Sequence, residues 1–191
     1  MKRYTVIAGI NGVGKSSLRG VLEGQGILLG HVIDADMIAR EHHNDPISAG
    51  KQAIKEINEC LKRDISFTQE TTLAGRRIEQ TMKQAKKQGY SISLFYVGIS
   101  SMEESIIRIA NRVRKGGHNI PTEDVLRRYK GRFEAFKRVV SYCDEITFYD
   151  NENGFVKVAE LVNGIFRYTN GYRPAWLTEL KTVVGWQEGK E

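Results

Sequence analysis

Near its start the chain reads Gly9-Ile10-Asn11-Gly12-Val13-Gly14-Lys15-Ser16, which fits the pattern G-x-x-x-x-G-K-[ST] at every fixed position. Glycines in such a loop let the backbone curl so that successive N–H groups face inward around phosphate oxygens. A helix that begins near the lysine adds the positive end of its dipole, the lysine reaches the β- and γ-phosphates, and the serine offers its hydroxyl to Mg²⁺. Residues 4–8 are typical of a strand, so the motif has the strand–loop–helix context that it requires. We predict a nucleoside triphosphate site made by Gly9, Asn11, Gly12, Val13, Gly14, Lys15, Ser16 and Ser17.

Beyond this loop, short apolar runs alternate with segments of helical periodicity. Such alternation implies crossover connections, and therefore a parallel sheet with helices on both faces. The run Y-S-I-S-L-F-Y-V-G at residues 90–98 is apolar enough to be a central strand. We predict strands at residues 4–8, 31–34, 66–70, 90–98 and 145–149, and helices from about 16, at 49–62, 76–88 and 102–114, from about 121, and at 156–166. The expected fold class is α/β, a three-layer P-loop NTPase fold with a mostly parallel central sheet.

The composition favours one globular domain. The chain has 191 residues, of which 27% are charged and three are prolines, which is close to the average for folded proteins. Its longest apolar run is about eight residues, far short of the ~20 that a membrane helix needs. Cys60 and Cys143 lack the spacing of a zinc site or a disulfide framework. We expect no signal peptide, no membrane association and a cytoplasmic protein.

Polar residues follow the second and third predicted strands, at the sheet edge where ligands bind in open α/β folds. Asp34 and Asp36 are two apart and share a face on an extended backbone, and Asp36 is the better placed to reach a ligand. Its alternative role is to cap the helix that follows. Glu70, Thr71 and Thr72 lie on the same rim and are placed to bind acceptor hydroxyls, with helix capping by Thr72 as the alternative.

The net charge of +6 is concentrated in one segment. Residues 108–138 contain ten basic and three acidic residues, a balance of +7, so the rest of the chain sums to −1. Such a concentration favours an anionic partner, either a small-molecule phosphate or nucleic acid.

Arginines in this segment are candidates for holding a transferring phosphoryl group, because the planar guanidinium matches phosphate oxygens and stays charged. Arg108 and Arg112 are four apart and share one helix face. The Gly116-Gly117 pair marks a turn between two helices, the shape of a mobile lid. Arg128 and His118 are further candidates for contact with phosphate.

Five segments, in this order, resemble the short members of the zeta-toxin family of P-loop kinases over about residues 4–151. They are G-x-N-G-x-G-K-S at 9–16, V-I-D-A-D-M-I-A at 32–39, F-T-Q-E-T-T-L-A-G at 67–75, R-V-R-K-G-G-H-N-I-P-x-x-D-V-x-x-R-Y at 112–129, and Y-D-N at 149–151. The resemblance implies an ATP-dependent phosphotransferase that transfers phosphate to an alcohol group. The best-studied members phosphorylate a hydroxyl of UDP-N-acetylglucosamine.

The resemblance also implies roles for the residues that match. Lys15 and Ser16 would hold ATP and Mg²⁺, Asp36 would be the base near the acceptor hydroxyl, and lid arginines would stabilise the transferred phosphate. Which of the three lid arginines clamp it stays open. The expected catalytic residues are Lys15, Asp36, Arg112 and Arg128; the expected acceptor-binding residues are Asp36, Glu70, Thr71, Thr72, Arg108 and His118; the expected metal ligand is Ser16.

We therefore expect a P-loop kinase domain at residues 1–167 with a basic helical lid at about 108–138. The tail, 168–191, is expected to pack on that domain because it holds Trp176 and Trp186. The expected partner is a small-molecule acceptor, and a protein antitoxin is a candidate partner. One alternative is a P-loop nucleotide or polynucleotide kinase, although only three aromatic residues interrupt the basic segment and nucleic acid is the weaker partner. The second alternative is a non-catalytic ATP switch.

Overall fold

The computed structural model describes residues 1–41, 45–117 and 119–186. The strands are β1 (Arg3–Ala8), β2 (His31–Asp34), β3 (Phe67–Thr71), β4 (Ser91–Gly98), β5 (Glu145–Asp150), β6 (Val156–Val162) and β7 (Ile165–Tyr168). The helices are α1 (Lys15–Gly24), α2 (Ala35–Glu41), α3 (Pro46–Lys62), α4 (Arg77–Lys87), α5 (Met102–Arg114), α6 (Thr122–Lys130), α7 (Arg132–Lys137) and α8 (Ala175–Val184), with a short 3₁₀ turn at Val140–Tyr142.

The seven strands form one sheet in the order β2-β3-β1-β4-β5-β6-β7. The first five are parallel, and β6 and β7 are antiparallel to their neighbours. Because the chain crosses over between parallel strands, the carboxyl ends of β1, β2 and β3 meet at one edge of the sheet. The predicted α/β class with a mostly parallel sheet is confirmed.

Side chains of the central strand β1 point alternately into two cores. Tyr4, Val6 and Ala8 pack in the larger core, which includes residues of α3, α4, α7 and α8. Ile7 packs in a smaller core on the other face, with Leu18 and Leu22 of α1. The sheet is therefore the middle of three layers, and α1 is held firmly behind the loop that precedes it.

The predicted helix at residues 156–166 is wrong, because these residues form the hairpin β6–β7. Asn163 and Gly164 both have positive φ, 54° and 76°, as a two-residue hairpin turn requires. Val156-Lys157-Val158 alternates with the period of a strand, and Asn-Gly is a strong hairpin signal. The apolar residues between 156 and 166 fit the period of a helix only when the Asn163-Gly164 turn is left out of account.

The tail contains a helix, α8, that the sequence analysis did not predict. Trp176 is almost completely buried against Gly98, where a Cβ atom would lie only 2.2 Å from the indole ring. The indole N–H donates to Asp150 Oδ1 over 2.7 Å. Trp186 stacks on Phe166 with ring centroids 5.3 Å apart. Residues 175–186 thus pack on the end of the sheet beside the loop that follows β5.

The two helices of the basic segment, α5 and α6, share a small core of their own, formed by Ile109, Ile120 and Val125. This core is separate from the two that flank the sheet, so the helix pair is a distinct unit above the sheet edge. No helix in the described ranges is both long and apolar enough to cross a membrane.

Candidate active site

The glycine loop between β1 and α1 adopts a conformation that only glycine accommodates easily. Gly12 and Gly14 have φ of 77° and 96°, and Gly14 precedes the first turn of α1. A Cβ atom on Gly12 would lie 2.6 Å from the carbonyl oxygen of Ser105. The backbone of the loop thus has left-handed conformations at Gly12 and Gly14 and is closely packed, which accounts for glycine at these positions.

Neighbouring elements hold the loop through its own polar groups. The Ser105 hydroxyl of α5 donates to the carbonyl oxygen of Asn11, and Arg128 of α6 donates to Asn11 Oδ1 over 2.7 Å. On the other side, Asn151 Nδ2 donates to the carbonyl oxygen of Val13 over 2.9 Å. The loop is therefore fixed between the lid and the segment that follows β5.

Lys15 lies under the loop, where its Nζ donates to the carbonyl oxygens of Gly9 and Ile10, each over 3.0 Å. Burial lowers the pKa of its ammonium group, and the nearby carboxylates of Glu70, Asp36 and Asp34 act in the opposite direction. A phosphate group entering the loop would meet a cation that is poorly solvated and therefore well placed to bind it.

A cleft of about 460 Å³ lies at the carboxyl edge of the strands. The structure brings most of the predicted site residues to it: Asn11, Gly12, Gly14, Lys15, Ser16, Ser17, Asp36, Glu70, Thr71, Thr72, Arg108, Arg112 and Arg128 line its wall. Gly9 and Val13 are buried beneath the loop and do not line the cleft. His118 lies outside the described residues.

The two aspartates after β2 take different positions. Asp34 is buried, and its Oδ1 accepts a hydrogen bond from the backbone N–H of Asp36 over 2.9 Å. Asp34, and not Asp36, therefore caps α2, and Asp36 is already in the helix, yet both residues line the cleft. The Asp36 side chain is half exposed, and its Oδ2 lies 3.9 Å from Arg112 Nη1. Asp36 is thus the more exposed of these two carboxylates.

The rim after β3 is a bend and not a helix start. The Thr71 hydroxyl accepts from the backbone N–H of Leu73 over 3.0 Å, and Leu73 has a φ of 60°. The next helix begins only at Arg77, so Thr72 does not cap it. Thr71 and Thr72 line the cleft at this bend.

Glu70 lies between the nucleotide loop and this rim. Its Oε2 accepts from the Ser16 hydroxyl over 3.0 Å, and its Oε1 accepts from Arg19 over 3.2 Å. Burial raises the pKa of the Glu70 carboxyl, and the neighbouring Asp34 raises it further.

The surroundings of Ser16 fit a magnesium ion, which prefers hydroxyl and carboxylate oxygens. The Ser16 hydroxyl is in contact with Glu70, and Asp34 is the partner of Glu70 in the register of β2 and β3. Within the described ranges, no group of three or more His, Cys, Asp and Glu side chains could hold a metal on its own.

The three lid arginines line the cleft in different ways. Arg128 reaches the nucleotide loop and Arg112 faces Asp36, as the contacts above show. Arg108 is held back by Glu104, whose Oε1 accepts from its Nε over 2.8 Å, and by the carbonyl oxygen of Glu152. All three arginines line the cleft, and they differ in the protein groups that hold them.

Three residues at this site were not identified from the sequence: Arg19, Arg40 and Gln69. Gln69 and Arg40 line the cleft. Arg40 also lines a second cleft of about 470 Å³, together with Arg108, Asn111, Arg112, Lys115 and the Gly116-Gly117 turn. Helical spacing carries a signal for the two arginines, because Arg19 follows Lys15 by four residues and Arg40 follows Asp36 by four.

A parallel sheet with this strand order, a G-x-x-x-x-G-K-S loop between β1 and α1, and a basic helical lid over the same edge define a P-loop kinase fold. Residues 48–158 match the model of the Zeta toxin family, which is more than half of the chain. The chain therefore belongs to the zeta-toxin family. Membership of this family, with this fold, supports a nucleotide-dependent phosphotransferase.

Several known proteins are similar to this chain in sequence or in fold. An uncharacterized protein of Haemophilus influenzae is 40% identical over 126 residues, which are 63% of this chain and 88% of that protein. A chain of the AvrRxo1-ORF1:-ORF2 complex with ATP has a TM-score of 0.68 at 15% identity, covering 100% of this chain and 66% of its own. A chain of the PezAT chromosomal toxin–antitoxin system of Streptococcus pneumoniae has a TM-score of 0.61 at 14% identity, covering 97% of this chain and 84% of its own. At these identities the two structures show a shared fold.

Proposed function

We propose that this protein is an ATP-dependent kinase that transfers the γ-phosphate to a hydroxyl of a small molecule, with a UDP-amino sugar as the leading acceptor. The observation that carries the proposal is the single cleft of about 460 Å³. It is lined at once by the nucleotide loop, by the carboxylate of Asp36, by the rim at residues 69–72 and by the lid arginines. A kinase needs these groups around one space, because the reaction joins a nucleotide to an acceptor in line.

In this proposal the chain's own residues position the reactants. The loop N–H groups and Lys15 hold the triphosphate, and a magnesium ion at Ser16 would neutralise charge on the phosphate oxygens. Asp36 accepts the proton of the acceptor hydroxyl. The hydroxyl oxygen then bonds to the γ-phosphorus as the bond between the γ-phosphorus and ADP breaks. Arg112, 3.9 Å from Asp36, and Arg128 stabilise the charge on the transferred group.

The second cleft favours one further candidate, a P-loop nucleotide or polynucleotide kinase. Arg40, Arg108, Arg112 and Lys115 line it, and none of its lining residues in the described part of the chain is a carboxylate. An acceptor that is already phosphorylated, such as a nucleotide or the end of a nucleic acid, suits such a wall. Transfer to a 5′-hydroxyl oligonucleotide, with none to UDP-N-acetylglucosamine, would select this candidate.

A protein antitoxin and a cytoplasmic location are also part of the proposal. The two structural neighbours come from a chromosomal toxin–antitoxin system and from a two-component complex, as their names state. This likeness supports a search for a partner protein, and co-purification from the native cell is the direct test.

The first experiment measures transfer from ATP, with Mg²⁺, to UDP-N-acetylglucosamine by mass spectrometry. We expect a product heavier by one phosphate, and we expect Asp36→Asn to lower the rate by about 100-fold or more because it removes the base. ATP binding should be unchanged, since Asp36 is not part of the nucleotide loop. The matched control is Asp64→Asn, which neutralises an exposed aspartate paired with Lys2 and should not affect transfer. Full transfer by Asp36→Asn would reject the assigned base.

A further inference from the structure

Two buried carboxylates lie side by side at the ends of β2 and β3. Asp34 and Glu70 are partners in the parallel register of these strands, and their residues are only 7% and 9% exposed. Two negative charges placed so close and away from water repel each other and lose hydration. The pair therefore needs a cation in contact with it.

Arg19 provides that cation. Its Nη1 lies 3.2 Å from Glu70 Oε1 and 3.9 Å from Asp34 Oδ2, and only 20% of its side chain is exposed. The same nitrogen lies 3.3 Å from the sulfur atom of Met37 in the first turn of α2. Arg19 follows Lys15 by one helical turn, so the two cations lie on the same face of α1.

The residues that Arg19 contacts lie on the acceptor side of the cleft. Glu70 lines the cleft with Oε1 on Arg19 and Oε2 on Ser16. Asp34 caps α2 and so fixes the turn that carries Asp36. Arg19 itself does not line the cleft. It touches two of the carboxylates that shape the acceptor site without reaching the acceptor.

We propose that Arg19 is a positioning residue, which orients Glu70 directly and Asp36 through Asp34, and so determines acceptor binding and transfer but not nucleotide binding. This inference rests on the proposed kinase function. Lysine at this position keeps the charge but lacks the planar fork, so it replaces arginine only in part.

The test compares Arg19→Ala, Arg19→Lys, Glu70→Gln and the double variant Arg19→Ala/Glu70→Gln. We expect Arg19→Ala to lower kcat/KM for the acceptor on the order of 10- to 100-fold. ATP affinity, measured by calorimetry without acceptor, should be unchanged, and Arg19→Lys should restore part of the activity. Because Arg19 acts through Glu70 and through Asp34, the double variant should lose less activity than the sum of the two single losses, and only the route through Asp34 should add to the effect of Glu70→Gln. The control is Arg63→Ala, which removes an exposed arginine at the end of α3.

Additive losses in the double variant, or loss of ATP binding in Arg19→Ala, would overturn the assignment of Arg19 as a positioning residue. The same four variants are compared in their free energy of unfolding, which needs no acceptor. If the wild type transfers phosphate to no acceptor, the proposed function fails. Non-additive changes in the free energy of unfolding at Arg19 and Glu70 would then still support the ion cluster of Arg19, Glu70 and Asp34. Additive changes would reject the ion cluster as well.

Discussion

Glu70 is a buried carboxylate whose charged form the fold destabilises. Burial and, after it, the neighbouring Asp34 raise its pKa, although Lys15, Ser16 and Arg19 act in the opposite direction. The folded chain therefore binds a proton at Glu70 more readily than the unfolded chain does. Its contribution to stability is fully present below the unfolded pKa and is lost as the pH rises through the folded pKa.

Replacing Glu70 with glutamine should remove this pH dependence. The free energy of unfolding of Glu70→Gln, relative to the wild type, should increase as the pH is raised from about 4 towards neutral, because only the wild type must then ionise the buried group. Urea unfolding at several pH values, without nucleotide or metal, measures the difference. Glu59→Gln, an exposed change on α3, should show no such trend. A difference that is constant with pH, or that decreases as the pH rises, would contradict the raised pKa.

At the scale of single helices and strands, the sequence predicted those elements that carry a strong local signal. The loop motif, the apolar run of β4, the helical pattern at residues 102–114 and the helix start near Pro121 are such signals, and the structure has elements there. The hairpin β6–β7 was misread although its Asn-Gly turn is a local signal. Helix α8 was missed although its buried residues, Trp176, Leu177 and Leu180, have helical spacing. The sequence could not show that Trp176 packs on Gly98, because that contact is tertiary.

Gly98 is therefore predicted to be essential at the end of β4, where Trp176 covers it. We expect Gly98→Ala to lower the free energy of unfolding by about 1–3 kcal/mol, because the added methyl group overlaps the indole ring. Gly50→Ala is the matched control. Gly50 lies within α3, where a Cβ atom meets nothing within 4 Å, so this change should stabilise the helix by about 0.5–1 kcal/mol. Equal effects of the two changes in chemical denaturation would contradict the packing of α8 on β4.

At the scale of the whole molecule, the lid, the nucleotide loop and the tail form one connected set of contacts. Arg128 of α6 reaches Asn11, Asn151 supports Val13, and the adjacent Asp150 accepts from Trp176. The sequence predicted a basic lid over a phosphate site and a tail that packs on the domain, since charge and tryptophan are visible in composition. It could not choose among the lid arginines, because that choice depends on how α5 and α6 pack over the sheet edge.

Substituting Arg128 and Arg127 in turn distinguishes a specific contact of one lid arginine from an effect of the total positive charge of residues 108–138. Both arginines pair with Asp124, but Arg128 also lines the cleft and contacts the nucleotide loop, whereas the side chain of Arg127 is 71% exposed. We expect Arg128→Ala to lower kcat by about 100-fold or more, because in the proposed function its guanidinium would stabilise the transferred phosphate. Arg127→Ala removes the same charge from the same helix, and its kcat should stay near that of the wild type. Steady-state phosphotransfer at saturating ATP, with ATP affinity measured separately, compares the two. Similar losses in both variants would mean that the +7 segment acts through its summed field, and that no single lid arginine clamps the phosphate.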